Sequence, residues 1–486
     1  MDFTYFRPMM PSIEEKVVFD GINELFNKQK HAISGLRQEP IANRKSRLKS
    51  LAKWIKANQP VIQQAVYADF RKPEVEVQAT EIYPVLIEID HVLDQLDRWV
   101  KPKKIDAPLT MLGTRSFVAY EPKGVCLIIS PWNYPFNLAI GPLVCALAAG
   151  NRVVLKPSEI TPHTSAVIRK MCESLFEDTV VAVCEGGPEV SEQLLKLPFD
   201  HIFFTGSPSI GKVVMKAAAE NLASVTLELG GKSPTIVTPT AKLKDAARRI
   251  AVAKFINNGQ TCIAPDYVIV HQSVLSEFIS RLKTEVIQLF SDTGKPLQES
   301  PHYARMVNDK HFNRVNACVQ DALEKGASIE LSGPVDPSTR FIHPMILTQV
   351  PDNARLMQEE IFGPILPVLA YDSLDEVVNR INQKPKPLAL YLFTNSKKDQ
   401  RKVLEETSSG GVCINDCAIH FLHPYIPFGG VNNSGIGKSH GYYGFLAFSN
   451  EKPVVRQRNG LSSFQLFYPP YTAGVKRMMN WLIKMF

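Results

Sequence analysis

Gly124-Val-Cys-Leu-Ile-Ile-Ser130-Pro-Trp-Asn-Tyr-Pro-Phe-Asn-Leu-Ala-Ile-Gly-Pro-Leu-Val-Cys-Ala-Leu-Ala-Ala-Gly150-Asn151 contains no charged residue. Two readings compete for this stretch. As one unbroken apolar span it would suit a membrane helix. Pro131, Pro135 and Pro142, set among Trp132, Asn133 and Asn137, argue against that, because a spanning helix tolerates one proline more readily than three with polar neighbours. The sequence instead predicts a buried strand over 125–130, a loop, and a buried helix starting near Pro142. Further strands are predicted over 152–156, 180–183 and 201–205, with helical stretches such as 165–176 between them. Strand and helix alternating at this spacing imply a doubly wound parallel sheet. Upstream, from 12 to 99, the pattern is helical, with apolar residues at three-and-four spacing as in Arg47-Leu-Lys-Ser-Leu-Ala-Lys-Trp-Ile55. The basic, proline-bearing segment 101–108 reads as a linker or extended arm.

A second alternation follows Gly230-Gly-Lys-Ser-Pro234. Its strands fall over 235–237, 267–270, 365–370 and 389–393, and its helices over 243–257 and 273–289. The fold class is therefore α/β, with two doubly wound lobes and a cleft between them, where ligands bind. At 486 residues, 45% of them hydrophobic and 21% charged, the chain has ample material for two to four domains. That composition excludes a disordered, collagen-like or disulfide-framework protein. The formal charge of +7 is spread thinly, and no run of like charges marks a nucleic-acid arm. Eight cysteines, several of them in apolar runs, read as buried thiols in a reducing compartment. Met-Asp-Phe-Thr-Tyr-Phe-Arg-Pro8 lacks the pattern of a signal peptide, and a cytoplasmic location, with the option of a peripheral membrane contact, is expected.

Five short stretches carry candidate chemistry. In Phe255-Ile-Asn-Asn-Gly-Gln-Thr-Cys262-Ile-Ala, a helix ends near Asn258, Gly259 breaks it, and Cys262 follows in a polar loop. A thiol so placed is a nucleophile if its thiolate is stabilised and reachable, and otherwise one more structural cysteine. In Leu227-Glu228-Leu-Gly-Gly-Lys232 an acid lies in an apolar setting at a strand end, where burial raises its pKa towards that of a general base; a capping or ion-paired glutamate is the alternative. Asn133, beside Trp132 at the carboxyl end of the strand 125–130, can donate to a developing oxyanion or simply shape a turn. Lys156-Pro-Ser-Glu159 closes the next strand, where an acid can accept from ribose hydroxyls. Phe204-Thr-Gly206-Ser-Pro-Ser-Ile-Gly211-Lys212 runs from strand through turn to helix, an arrangement that offers a pyrophosphate site. It is neither the Gly-x-Gly-x-x-Gly fingerprint nor a phosphate loop.

Together these stretches, with Gln358-Glu-Glu360-Ile-Phe362-Gly-Pro and Pro427-Phe-Gly-Gly-Val-Asn-Asn-Ser-Gly435, resemble the aldehyde dehydrogenases from about residue 15 to 458. The short amino terminus and the wording Pro-Trp-Asn-Tyr-Pro-Phe-Asn-Leu are similar to the class 3, or fatty-aldehyde, branch. The resemblance implies NAD(P)-dependent oxidation of an apolar aliphatic or aromatic aldehyde to its carboxylic acid, through a cysteine thiohemiacetal and thioester. It implies Cys262 as nucleophile, Glu228 as the base that activates water, and Asn133 as an oxyanion donor beside the Cys262 backbone N–H. Trp132, Lys156, Glu159, Gly206, Gly211, Glu360 and Phe362 are expected around NAD or NADP, with Glu159 leaving the choice between the two cofactors open. The rivals are a CoA-acylating or acyl-reducing relative, against which Glu228 argues, and a catalytically silent module on the same fold.

The resemblance also implies a division of the chain: 1–102 and 120–230 as the NAD(P)-binding domain, 231–447 as the catalytic domain, 103–119 and 448–460 as an oligomerisation arm building a homodimer, and 461–486 as a tail. Cys413-Ile-Asn-Asp-Cys417-Ala-Ile-His420-Phe-Leu-His423 has the ligand types of a zinc site. It is one continuous segment rather than two separated pairs, so no metal is expected. In the tail, Val475, Met478, Met479, Leu482 and Phe486 share a helical face, with Lys476, Arg477 and Lys484 on the other side. The stretch after Gly474 is too short to span a bilayer. It reads as a helix docked on protein, or else as one giving at most weak peripheral membrane contact or lidding a substrate funnel.

Overall fold

The computed structural model describes residues 13–108, 111, 113–292, 295–460 and 462–485. Position 12 of the leading helical pattern, residues 109, 110 and 112 of the expected arm, and Phe486 of the tail lie outside the described residues. The uncharged stretch at 124–151 folds into strand Val125–Ile129 and helix Asn137–Ala149, and both are buried. The strand is the middle of a six-stranded sheet in the order Gly435–Ile436, Ser224–Leu229, His201–Gly206, Val125–Ile129, Arg152–Lys156, Val181–Val183. All but Gly435–Ile436 run parallel. The chain winds from Val125–Ile129 to one edge and returns on the other side at His201–Gly206. The strand order thus reverses between those two neighbours, and the crevice beyond their carboxyl ends is the ligand position of a doubly wound sheet.

Helix Asn137–Ala149 begins well before Pro142, the start expected from the sequence, and holds that proline inside it. The cause is a buried carboxylate: Glu81 Oε2 accepts the backbone N–H groups of Phe136 and Asn137 at 3.2 and 3.0 Å, which starts the helix ahead of the proline. The leading helices Ile41–Ala57, Gln59–Phe70 and Tyr83–Trp99 cover one sheet face. Their three-and-four spacing buries Leu48, Leu51 and Ile55 in one core with Leu143 and Leu147.

The second sheet has seven strands in the order Ser328–Leu331, Met345–Thr348, Ile365–Tyr371, Tyr267–His271, Pro234–Val237, Ala389–Phe393, Gly411–Ile414. Only the first pairs antiparallel. Helices Leu243–Phe255 and Leu275–Phe290 pack against it. A third, antiparallel sheet joins Lys103–Ile105, Thr114–Pro122 and Ser449–Gln457, the last two paired along their whole length. Two pieces of the later chain return to the first lobe. Gly435–Ile436 adds an antiparallel edge strand opposite Glu228 and Leu227, and Phe448, just past helix Gly441–Ala447, stacks on Phe203 at 5.7 Å. The tail forms helix Ala473–Met485 with no buried residue. Among the described residues no helix is long and apolar enough to cross a membrane.

Candidate active site

The loop after Val125–Ile129 is built from below by the leading helices. Lys72 and Glu81 form a fully buried ion pair at 2.6 Å. Burying two charges costs hydration that mutual attraction alone seldom restores. Here Lys72 also lies 4.0 Å over the Tyr134 ring and 3.4 Å from the Asn133 carbonyl, while Glu81 holds the two N–H groups described above. Burial still pushes the Glu81 carboxyl up, against the pull of Lys72. The pair clamps residues 133–137, so Asn133 is 3% exposed and its amide donates to the Gln260 carbonyl at 3.0 Å. One amide hydrogen is spent on that bond; the other is the one available to a ligand.

That bond ties Asn133 to the cysteine loop. The helix before Cys262 ends at Phe255 rather than at 257, because Asn257, Asn258 and Gly259 all adopt left-handed backbone, at φ 53, 55 and 72°. Asparagine tolerates this region better than most residues. At Gly259 a Cβ would come 2.3 Å from the Gly363 carbonyl oxygen, so only glycine fits. The buried loop finds most of its donors' partners at long range: Asn257 N–H donates to Glu76 at 2.7 Å, Asn257 Nδ2 to the Asn133 carbonyl at 2.8 Å, and Gln260 Nε2 to the Arg305 carbonyl at 3.0 Å. Tyr134 and Thr261 share a hydroxyl bond at 2.6 Å. Cys262 emerges half-buried. Its thiol is pushed up to about 12, first by burial and then by the negative charges of Glu360 and Glu228, which outweigh the N–H groups of Cys262 and Ile263.

Glu228 ends strand Ser224–Leu229 and is 6% exposed. Ser439 Oγ donates to its Oε1 at 2.9 Å, and Oε2 is buried with no protein partner. Burial raises its pKa from 4.5 to about 7, with Ser439, His440 and Lys438 pulling the other way. Glu360 is pushed to about 8 by lost hydration and by Asp266, despite the Gly231 N–H, Lys232 and Arg314. Two carboxyls that titrate near neutrality beside one thiol suit proton transfer.

Cys262 lines two cavities at once. One, of about 540 Å³, is also walled by Trp132, Asn133, Gly206, Glu228, Glu360 and Phe362 and opens along the crevice of the first sheet. Trp132 meets Phe362 edge to face at 5.3 Å. The other, of about 590 Å³, has Tyr134, Leu138, Val252, Ile256, Phe421 and Leu422 in its wall. Lys156 and Glu159 form an ion pair at 2.5 Å at the end of strand Arg152–Lys156, outside the residues that line either cavity. Gly211 sits in helix Pro208–Glu220, whose first turn is capped by Ser207. A Cβ on Gly211 would come 2.7 Å from Leu229, so the glycine lets that helix approach the sheet at the crevice. A glycine-packed helix start and an acid at the neighbouring strand end fit the phosphate and ribose groups of a dinucleotide.

Several site residues escaped sequence reasoning. Lys72, Glu76 and Glu81 carry no local signal of a role, and only the packing of the leading helices under the loop gives them one. Lys254 is 1% exposed, and burial lowers it to about 8 among Asp266, Lys232 and Glu360. Ser439 and His440 follow the glycine-rich stretch, and their approach to Glu228 depends on strand Gly435–Ile436 crossing to the first sheet. In the cysteine–histidine run, Cys413 and His420 meet at 3.1 Å. Among the described residues no group of three or more potential ligands gathers to hold a metal ion.

A Rossmann-type crevice that meets a thiol across a two-lobed α/β fold defines an oxidoreductase architecture. The model of the aldehyde dehydrogenase family matches residues 20–454. A 4,4'-diaponeurosporen-aldehyde dehydrogenase of Staphylococcus aureus is 43% identical over 94% of this chain and 98% of its own. Aldehyde dehydrogenase family 3 member A2 of Pongo abelii is 40% identical, covering 89% of this chain and 88% of its own. The substrate-bound structure of Staphylococcus aureus AldH superposes with a TM-score of 0.90 at 42% identity, over 95% of this chain and 99% of that one. The chain belongs to the aldehyde dehydrogenase family and falls on its class 3 branch.

Proposed function

We propose that this enzyme oxidises an apolar aliphatic or aromatic aldehyde to its carboxylic acid through covalent attachment to Cys262. The observation that carries the reading is the position of Cys262, shared between the cavity along the nucleotide-type crevice and a cavity rich in apolar side chains. When bound, NAD or NADP would accept the hydride lost as the Cys262 thiohemiacetal becomes a thioester, a two-electron oxidation. Lys156 and Glu159 would hold its adenosine ribose, Gly206 at the strand end and Gly211 in the helix that follows would lie beneath it, and Trp132, Glu360 and Phe362 would orient its reactive end.

The chain's own chemistry begins with a reluctant thiol. At about 12 it holds its proton at neutral pH, so the proton is given up to solvent water as Sγ bonds to the aldehyde carbon. The carbonyl oxygen becomes an oxyanion, which the free Asn133 amide hydrogen and the Cys262 N–H receive; such donors contribute about 3–4 kcal/mol each. Glu228, titrating at about 7, then takes a proton from water as that water attacks the thioester, releasing the acid and restoring the thiol. The apolar lining of the second cavity supports an apolar substrate, and the aldehyde-oxidising names of the relatives agree with the reaction class.

Absorbance at 340 nm with a panel of aldehydes, with and without CoA, tests this reading. CoA-independent NADH or NADPH formation is expected. Strict dependence on CoA would turn the assignment to the acyl-transferring relatives, and no turnover with any aldehyde would favour a silent module. The antiparallel sheet of Lys103–Ile105, Thr114–Pro122 and Ser449–Gln457 supports a homodimer, since Ser449–Gln457 is an edge strand of that sheet and unpaired edges invite pairing. Sedimentation at micromolar concentration should give a dimer. A cytoplasmic enzyme is proposed, with at most weak peripheral membrane contact through the tail.

A further inference from the structure

The turn that touches Glu228 contains a strained residue for which the chemistry above has no use. Ser439 exchanges backbone hydrogen bonds with Phe428 at 2.7 and 3.3 Å and points its Oγ at Glu228. The next residue, His440, has φ 68° and ψ 142°, close to a region that glycine populates almost alone. Glycine would take this backbone without strain, and glycine follows at 441. Such an outlier persists only where its surroundings over-determine it, and here they do. Glu88, 5% exposed on helix Tyr83–Trp99, faces His440 Nδ1 through Oε2 at 3.6 Å and accepts the Gly441 N–H through Oε1 at 2.7 Å. Phe421 and Phe428 hold the imidazole edge to face at 4.7 and 5.4 Å. His440 lines the same cavity as Glu228 and Cys262.

We propose that His440 is a positioning residue for Glu228: held by Glu88, Phe421 and Phe428, it fixes the turn that aims Ser439 Oγ at the Glu228 carboxylate. This rests on Glu228 being the water-activating base. The hydrogen bond from Ser439 opposes the effect of burial on Glu228 and so enlarges the ionised fraction of the base near neutral pH. Glu88 is the anchor of the turn. Burial pushes its carboxyl up, but His440, the Gly441 N–H and the Cys145 thiol outweigh burial and leave it lowered. The other titratable groups around the pair are accounted for. Cys145, on helix Asn137–Ala149, is raised well above the thiol range and stays neutral. His91, beside Gly441, is lowered by burial. His420 is lowered to about 4 by burial and by His440. Lys438 is tied to the Gly429 and Gly430 carbonyls at 2.7 and 3.1 Å, and Cys262 closes the far side of the cavity.

The test uses hydrolysis of p-nitrophenyl acetate, which acylates a thiol without cofactor; its burst reports acylation and its steady phase deacylation. His440→Gly should keep or raise Tm, because glycine relieves the backbone, and should leave the burst intact. It should move the acidic limb of the deacylation pH profile upward by on the order of half a pH unit. Glu88→Gln should move the limb in the same direction by loosening the hold on His440 and on the Gly441 N–H, and with it the aim of Ser439. If Glu88→Gln fails to fold, His440→Gln replaces it with the same expectation. A limb that stays in place in the folded variants overturns the proposal, whether their rates are unchanged or uniformly lowered. Glu228→Gln run alongside separates the two readings. If it keeps the limb, Glu228 is not the titrating base and this inference falls with that assignment. If it abolishes the limb while the His440 variants leave theirs unmoved, only the role of His440 fails.

Discussion

The cysteine loop and the carboxyl-terminal helix are opposites. The loop at Ile256–Gly259 has three consecutive left-handed residues and no regular ladder. Yet Asn257, Asn258 and Gly259 are all buried; the Asn257 N–H reaches Glu76, the Asn257 and Asn258 amides reach the Asn133 and Ala304 carbonyls, and Gln260, next in the chain, reaches Arg305. Helix Ala473–Met485 is regular throughout and has no fully buried residue, with Trp481 59% and Ile483 65% exposed. Local regularity and anchoring are separate properties. A segment is fixed by partners distant in sequence, because only they restrict it without the chain's own ladder. Chemistry that needs atoms held to a fraction of an ångström belongs on the first kind of segment.

The sharpest way to break this contrast is at its chemical centre. Cys262→Ala should lower aldehyde oxidation by on the order of 10⁴-fold or more while leaving cofactor binding, read by fluorescence titration, unchanged. Substantial turnover by the pure variant would show that the loop is anchored for some other purpose. Glu228→Gln should retain a burst of NADH and then turn over about 10²–10⁴-fold more slowly; equal loss of burst and steady state would move Glu228 to activation of the thiol.

The same substitution has a stability signature. Glu228 has its carboxyl raised on folding, from 4.5 to about 7, so the folded state binds the proton more tightly than the unfolded one. Stability is therefore lost as pH rises from about 4.5 to about 7 and is level above that. Glu228→Gln should recover on the order of 3 kcal/mol at pH 8 and almost nothing at pH 4. Denaturant titration at both values checks it, and an equal effect at the two would remove burial as the cause.

Beneath the loop, Lys72→Met leaves Glu81 buried without its cation and should cost about 3–5 kcal/mol, with kcat falling as Asn133 loses its clamp. A change below 1 kcal/mol would mean that the pair is dispensable to the loop. At the other end of the scale, truncation after Tyr471 should change stability by less than about 1 kcal/mol, since surface segments with no fully buried residue contribute little. Flotation with anionic liposomes should show weak binding by the full chain, lost on truncation or in high salt, and kinetics on short and long aldehydes should show a shifted chain-length profile. Unchanged flotation and an unchanged profile would leave the helix only a docking role; a full chain that needs detergent for extraction would make it a genuine anchor.

Much of the architecture is legible in the sequence because it follows from local pattern. The strands near 125, 152, 201 and 389 are short apolar runs bounded by turns, and such runs have little alternative but the middle of a parallel sheet. Strands Ser328–Leu331 and Met345–Thr348 were not read, being short and at or next to the sheet edge, where periodicity is weak. The helix before Cys262 looked two residues longer than it is. The pull that ends it comes from Glu76 and Asn133, which no local signal reveals.

The sequence by itself determined the doubly wound lobes and the positions of Cys262, Glu228 and Asn133 at or near the ends of elements. These depend on periodicity, composition and spacing, which neighbouring residues carry among themselves. Only the tertiary structure decided that Cys262 stands between two cavities, that Lys72 and Glu81 hold the Asn133 loop from beneath, and that Ser439 and His440 reach Glu228 across the lobes. Those are meetings of residues remote in the chain. Their energies come from burial and charge in a shared low-dielectric interior, which exists only once the sheets have packed.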